Sequence, residues 1–320
     1  MRSRIEVVAA VLQRDDGSFL LAQRPEGKVY AGYWEFPGGK VEPGESAPAA
    51  LARELHEELG VEVTQCYPWI TRDYEYEHAA VRLRFHRVTA WSGELHGREN
   101  QAFAWQHTGR VTASPLLPAN GPVLRALSLP TIYGISNASL VGSEVFLERL
   151  DRALTRGLRL VQVREKALGE DAATTLTRLS LARARPHGAK VILNSDPEIA
   201  VRAGADGVHL SSARLMAATA RPDCELVGAS CHDERELAHA ARLGLDFVAL
   251  GPVAATASHP DAQAMGWTRF AALVADYPLP VYALGGMGAG DLETAWRAGA
   301  HGIAAIRGAW AGEAATSVTT

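Results

Sequence analysis

Three stretches in the second half of the chain echo one another: residues 202–210 read RAGADGVHL, 242–250 read RLGLDFVAL and 297–305 read RAGAHGIAA. Each has an arginine at a helix end, a glycine turn and a short apolar run. That is the signature of a helix handing over to a buried strand. Such a unit cannot bury its apolar face alone and has to stack on copies of itself. After Pro130 the same rhythm gives strands at Ile132–Ser136, Leu160–Arg164, Lys190–Leu193, Gly207–Leu210, Leu226–Ser230, Phe247–Leu250, Val281–Leu284 and Gly302–Ile306. Short, continuously apolar strands alternating with helices belong to a parallel sheet. This many repeats in so few residues predict a small (β/α)8 TIM barrel. An open doubly wound sheet is the fallback, but no GxGxxG follows a first strand.

The first half reads differently. Ile5–Gln13 and Ser18–Arg24 flank Asp15-Asp16-Gly17, a hairpin signal. Further strands are expected at Tyr74–Tyr76, Val81–Ala90 and Phe103–Trp105, with a closing helix over Asn120–Leu127. Prolines at 115, 118 and 130 bracket the exit. The expected division is therefore residues 1–128, a linker at 129–131 and a barrel over 132–320, α/β in both parts.

Between the early strands lies GKVEPGESAPAALARELHEELGV, residues 39–61. Ser46–Leu59 is rich in Ala, Leu and Glu and is stopped by Gly60, which predicts a helix. Glu54, Glu57 and Glu58 fall at i, i+3 and i+4 on one face. A bare cluster of this kind is most often a solvated helix face. Here Arg53 lies beside it and Phe36-Pro37-Gly38-Gly39 just upstream, where bare backbone can approach a metal or phosphate. Clustered carboxylates suit a hard divalent cation, which in turn grips phosphate oxygens.

Composition narrows the classes. With 320 residues and 47% hydrophobic content, two cores are within reach. A net charge of −4 supplies no basic field for polymeric nucleic acid. Three widely spaced cysteines, Cys66, Cys224 and Cys231, fit neither a disulfide framework nor a zinc site. The first residues run into an alternating strand rather than a leader, and no apolar run is long enough for a membrane span. A cytoplasmic protein without a membrane partner is expected; the oligomeric state is not legible.

Gly39, Glu45, Arg53-Glu54-Leu55, Glu57-Glu58 and Gly60-Val61 resemble the Nudix box of hydrolases that cleave nucleoside diphosphates linked to another group. Trp34-Glu35-Phe36-Pro37-Gly38-Gly39-Lys40, Gly97-Arg98-Glu99-Asn100-Gln101 and Pro118-Ala119-Asn120-Gly121-Pro122 narrow the resemblance to MutT-type 8-oxo-dGTP diphosphatases, over residues 4–128. The resemblance implies an α/β/α sandwich with a mixed sheet. It implies Mg2+, with Mn2+ as the substitute, held by Glu57, Glu58, Glu99 and the Gly38 carbonyl. Glu54 would be a further ligand or the general base, oriented by Arg53. Arg24 and Lys40 would neutralise phosphate, Phe36 would line the base pocket and Asn120 would read the oxidised purine. The residues alone leave Asn120 open between helix cap and base reader, and Glu99 between loop charge and ligand. The arginine that this family carries near residues 78–80 is absent from His78-Ala79-Ala80. Hydrolysis of a nucleoside triphosphate such as (8-oxo-)dGTP to monophosphate and pyrophosphate is implied, a step of nucleotide-pool sanitation and DNA repair.

In the second half, Gln162, Arg164 and Lys166 alternate at a strand end and so point the same way, toward the barrel mouth. They suit either a phosphorylated ligand or a salt-bridged strand end. Gly285-Gly286 and Arg307-Gly308 follow strands seven and eight, where barrels bind phosphate. Residues 161–166, 205–210, 228–232, 251–253 and 284–287 resemble thiamine phosphate synthase and its TenI-like relatives, the thiazole tautomerases. The resemblance implies a thiamine-related phosphate on Gln162, Arg164, Lys166, Asn194, His209, His232, Gly285 and Gly286. Several synthase positions are altered. The Asn-Asp pair reads Asn194-Ser195-Asp196, the acid after His209-Leu210 is missing from Ser211-Ser212-Ala213-Arg214, and Thr256-Ala257-Ser258-His259 lacks a lysine. A small polar residue after strand eight has become Arg307. A degenerate barrel is expected. The alternatives are a tautomerase using His232 or His259, paired with a hydrolase of thiamine-pathway diphosphates, or a barrel that only senses a ligand.

Overall fold

The computed structural model describes residues 4–98, 101–255 and 263–310. The chain divides into two compact units with the boundary at Leu129/Pro130.

The first unit holds strands β1 (Ile5–Leu12), β2 (Phe19–Gln23), β3 (Trp34–Glu35), β4 (Glu62–Glu75), β5 (Ala80–Ser92) and β6 (Phe103–Gln106), with helices α1 (Ala47–Leu59) and α2 (Gly121–Leu127). They form two three-stranded sheets. One is mixed, in the order β1-β5-β4; the other is antiparallel, in the order β3-β2-β6. β1 is buried on both faces, and its alternation sorts the core. Val8, Ala10 and Leu12 meet Leu51, Leu55 and Leu59 of α1. Ala9 and Val11 meet Phe19, Phe36, Phe85 and Val123 on the α2 side. Each fully buried leucine of α1 stabilises the unit by about 2 kcal/mol.

The expected β1–β2 hairpin is corrected by this topology. The turn forms, with Gly17 at φ 79° and the Ser18 N–H donating to Asp16 Oδ1 at 2.8 Å. Pairing nevertheless stops at Gln13 and Phe19. One edge of β1 runs parallel to β5 over its whole length. The other edge is taken by the segment after β3: Val8 N–H donates to the Gly39 carbonyl and Ala10 N–H to the Pro37 carbonyl, both at 2.8 Å. With both edges used, β2 passes to the second sheet. The same pairing fixes Gly38-Gly39 beside α1.

The second unit adds β7 (Ile132–Ile135), β8 (Leu160–Val163), β9 (Lys190–Leu193), β10 (Gly207–Leu210), β11 (Leu226–Cys231), β12 (Phe247–Leu250), β13 (Val281–Leu284) and β14 (Gly302–Ala305). All pair in parallel and close on themselves. Helices α3 (Ala138–Val141), α4 (Ser143–Thr155), α5 (Glu170–Ala184), α6 (Pro197–Ala203), α7 (Ser212–Ala217), α8 (Glu234–Leu243), α9 (Gly266–Val274) and α10 (Leu292–Arg297) connect them. Tyr133, Phe247 and Tyr282 fill the barrel interior with ring centroids 5.3 Å apart. Closer to the C-terminal ends of the strands, the small Ala249 and Ala304 leave a cavity of about 770 Å³. No described helix is long and apolar enough to cross a membrane.

Candidate functional site

In the first unit the site is built on α1. The Ser46 hydroxyl caps its first turn, and Gly60 closes it in the left-handed region at φ 73°. Leucines at 51, 55 and 59 bury one stripe, which turns Arg53, Glu54, Glu57 and Glu58 away from the core. Arg53 is the hub. Its Nε and Nη2 donate to the two Glu45 oxygens at 3.1 and 3.0 Å. Nη1 reaches Glu54 at 2.9 Å and Glu57 at 3.3 Å, and Nη2 also donates to the Lys40 carbonyl at 3.0 Å. These partners hold the guanidinium charged, and its bonds keep Glu45 below the usual carboxylate range.

Glu54 folds over the glycine pair. A Cβ on Gly39 would lie 2.2 Å from the Glu54 carboxyl carbon, so a side chain there would displace that carboxylate. Glu58 accepts the Gly38 N–H at 3.2 Å and has Lys28 Nζ 3.9 Å away. Its side chain is 13% exposed, against 56% for Glu57. Burial, with Glu35 and Glu54 adding like charge, pushes the Glu58 carboxyl up to about 7. A cation beside it would restore the carboxylate. The donors are all oxygen, the set that suits Mg2+ or Mn2+. Among the described residues, however, no three carboxylates already converge on one point, because Glu57 is drawn aside by Arg53. Glu99 lies outside the described residues.

The other expected residues are spread around this centre. Arg24 pairs with the buried Glu35 at 2.5 Å and donates to the Val29 carbonyl at 2.7 Å. The Lys40 side chain is exposed. Phe36 is 3% exposed and packs on Phe19 and Phe85 at 5.9 and 5.8 Å, inside the core. Asn120 makes no side-chain cap bond to α2; its amide donates to the Trp34 carbonyl at 3.4 Å. Sequence reasoning missed Lys28, which reaches the cluster from a loop, and Glu35, which reaches it from the two-residue strand β3; neither segment has a period.

In the barrel, Gln162, Arg164, Lys166, Asn194, His209, His232, Gly285 and Gly286 all line the one cavity. Glu165 turns the other way and accepts the N–H groups of Ala138 and Ser139, both at 2.7 Å, at the start of α3. A directed chain of hydrogen bonds crosses the floor. Gln162 Nε2 donates to Tyr133 Oη at 2.5 Å. The Tyr133 hydroxyl, having accepted there, donates to His209 Nδ1 at 3.0 Å. That assigns the remaining imidazole proton to Nε2, which donates to Ser230 Oγ at 2.9 Å. The Ser230 proton is left for the cavity. Burial, with Arg164 nearby, pushes His209 down to about 3, so the ring is neutral. His232 is held by Glu236, Nδ1 to Oε2, at 2.9 Å. His259 lies outside the described residues. Sequence reasoning missed Tyr133 and Ser230, whose roles depend on neighbours in other strands.

An acidic helix face held over a Gly-Gly segment, followed by a closed parallel barrel with a cationic mouth, defines a two-domain α/β protein. The NUDIX domain family matches residues 3–127, and the thiamine monophosphate synthase family matches residues 132–309. The chain belongs to both, as a fusion. Its first part is 45% identical over 122 residues to the CTP pyrophosphohydrolase of Escherichia coli, covering 38% of this chain and 90% of that protein. It is 36% identical over 123 residues to the 8-oxo-dGTP diphosphatase of Haemophilus influenzae, again 38% and 90%. The barrel is 35% identical over 187 residues to the thiamine-phosphate synthase of Azorhizobium caulinodans, covering 55% of this chain and 85% of that protein.

Proposed function

We propose that the N-terminal domain is a Mg2+-dependent pyrophosphohydrolase of (8-oxo-)dGTP, releasing nucleoside monophosphate and pyrophosphate, and that the barrel is a degenerate thiamine-synthase-like module. The observation that carries the first part is the Arg53 hub, which bonds Glu45, Glu54 and Glu57 while Glu54 folds over Gly39. Phosphoryl transfer needs an aligned nucleophile and charge neutralisation more than covalent chemistry. Glu54 would take the proton of an attacking water, with Arg53, 2.9 Å away, orienting it. Glu54, Glu57, Glu58 and the Gly38 carbonyl, with Glu99, would hold the cation, which supplies the neutralising charge when bound. Glu57 would exchange Arg53 for the metal. Arg24, Lys40 and Lys28 add positive charge for the phosphates. Asn120 is 4% exposed and donates to the Trp34 carbonyl, so reading a base edge would require it to exchange that bond.

The greater identity to a CTP pyrophosphohydrolase favours a second reading, in which a pyrimidine triphosphate is the preferred substrate. Mg2+-dependent hydrolysis of 8-oxo-dGTP, dGTP, CTP and thiamine diphosphate by the full chain separates these. A kcat/KM highest for 8-oxo-dGTP supports sanitation. Preference for CTP moves the substrate class, and preference for thiamine diphosphate makes both domains serve one pathway.

A further inference from the structure

The synthase family releases pyrophosphate with a divalent metal, which needs carboxylates at the barrel mouth. In this chain they have been removed or occupied. Asp196, one residue later than the expected Asn-Asp pair, is gripped by Arg214 through Nε and Nη2 at 2.8 and 3.0 Å. Arg214 belongs to the segment where the second acid is missing. Asp196 does not line the cavity. Among the described residues the lining carboxylate is Asp291, and its Oδ2 accepts the Gly288 N–H at 2.9 Å. Among the described residues, the side chains lining the cavity therefore do not fit a metal ion.

Its cations have gone the other way. Arg164, Lys166 and Arg307 line the same space. None of the three has a carboxylate within ion-pair distance among the described residues. Arg164 and Lys166 stand close enough that the guanidinium holds the ammonium below its ordinary range. Three cations lining one cavity leave its mouth with positive charge in excess, the complement of an anionic ligand. Arg307 follows β14, where the synthase pattern has a small neutral residue, and lines the same cavity as Gly285 and Gly286.

We propose that the barrel is a metal-independent diphosphate site in which Arg307 supplies the counter-charge that a metal supplies in the synthase. Three cations match a diphosphate better than a monoester, which carries less negative charge. The same charge balance opposes the synthase reaction, because a diphosphate held this way has no metal to leave with. The proposal does not depend on which nucleotide the N-terminal domain cleaves. It does give that domain's inorganic product a receptor within the same chain.

The test is calorimetric titration of inorganic pyrophosphate into the full chain in EDTA. One site per chain is expected. Arg307→Ser and, separately, Lys166→Gln are each expected to weaken it by about tenfold or more, with the circular-dichroism spectrum and melting midpoint unchanged as the check on folding. Inorganic phosphate should bind more weakly than pyrophosphate. Binding that requires added Mg2+, that survives both substitutions unchanged, or that is matched by inorganic phosphate would overturn the proposal.

Discussion

The Glu54 carboxylate lies directly on the α-carbon of Gly39. A Cβ at that position would sit 2.3 Å from each of its oxygens. The strand segment that pairs with β1 and the acidic helix therefore meet at a point where one methyl group does not fit. A side chain at Gly39 would push aside the Glu54 carboxylate, the group proposed as general base, while Leu51, Leu55 and Leu59 hold α1 in the core.

Gly39→Ala should consequently uncouple activity from folding. Displacing Glu54 by about an ångström is expected to lower kcat about 100-fold or more. The thermal midpoint should fall far less than in Leu55→Ala, which opens a core cavity and costs about 2–5 kcal/mol. Steady-state kinetics and a melting curve on both variants check this; equal losses of stability would refute it.

Arg53→Lys should also lose turnover. A lysine presents a point charge and cannot hold Glu45 through two parallel bonds while reaching Glu54 and Glu57. A fall in kcat of about 10–100-fold is expected, the size seen when a positioned acid–base group is disoriented. Because the metal donors themselves remain, the Mg2+ concentration for half-maximal rate should move less than kcat does. The two are read from one metal titration of the initial rate.

Glu57→Gln separates metal ligation from structure. Glu57 is 56% exposed and packs on nothing in the core, so circular dichroism and the melting midpoint should be unchanged while hydrolysis is nearly abolished. Wild-type turnover in this variant would remove Glu57 from the metal assignment. In the same assay, EDTA should abolish hydrolysis in the parent chain.

How far the sequence reached follows from period and range. The barrel strands were legible because each is a short apolar run closed by the same turn, and Lys190–Leu193, Gly207–Leu210, Phe247–Leu250 and Val281–Leu284 match the structure end to end. Most of β4 was not, although it spans 14 residues. Register shifts around Gln65 and between Pro68 and Thr71 break its alternation, and a two-residue period cannot be read through bulges. β3 is too short for any period. The hairpin failed because a long-range partner, Pro37–Val41, competes for the edge of β1, and no local signal reports competition. Around the site, the glutamates of α1 follow from helical spacing alone. The Asp196–Arg214 pair does not, since nothing in either segment says that the start of α6 and the helix α7 touch.

The last prediction concerns acid. His209 is buried, and its Nδ1 accepts from Tyr133 while its Nε2 donates to Ser230, an arrangement available only to the neutral ring. Its folded pKa, about 3, lies below the ordinary 6.5. A histidine depressed in this way favours the fold fully above pH 6.5. As pH falls from there toward 3 the unfolded chain takes up a proton that the folded chain refuses, so stability is lost through that window. The loss is on the order of a few kcal/mol for a group this deeply buried. Denaturant titrations from pH 8 to 4 should show the barrel's midpoint falling steeply below pH 6.5. His209→Gln should be less stable at pH 8, because Tyr133 loses the ring that accepts its hydroxyl, yet show a flatter slope below pH 6.5. A variant slope as steep as the parent's would place the acid sensitivity elsewhere, and Tyr133→Phe, which removes the donor and leaves the titrating ring, should keep the parent's slope at a lower midpoint.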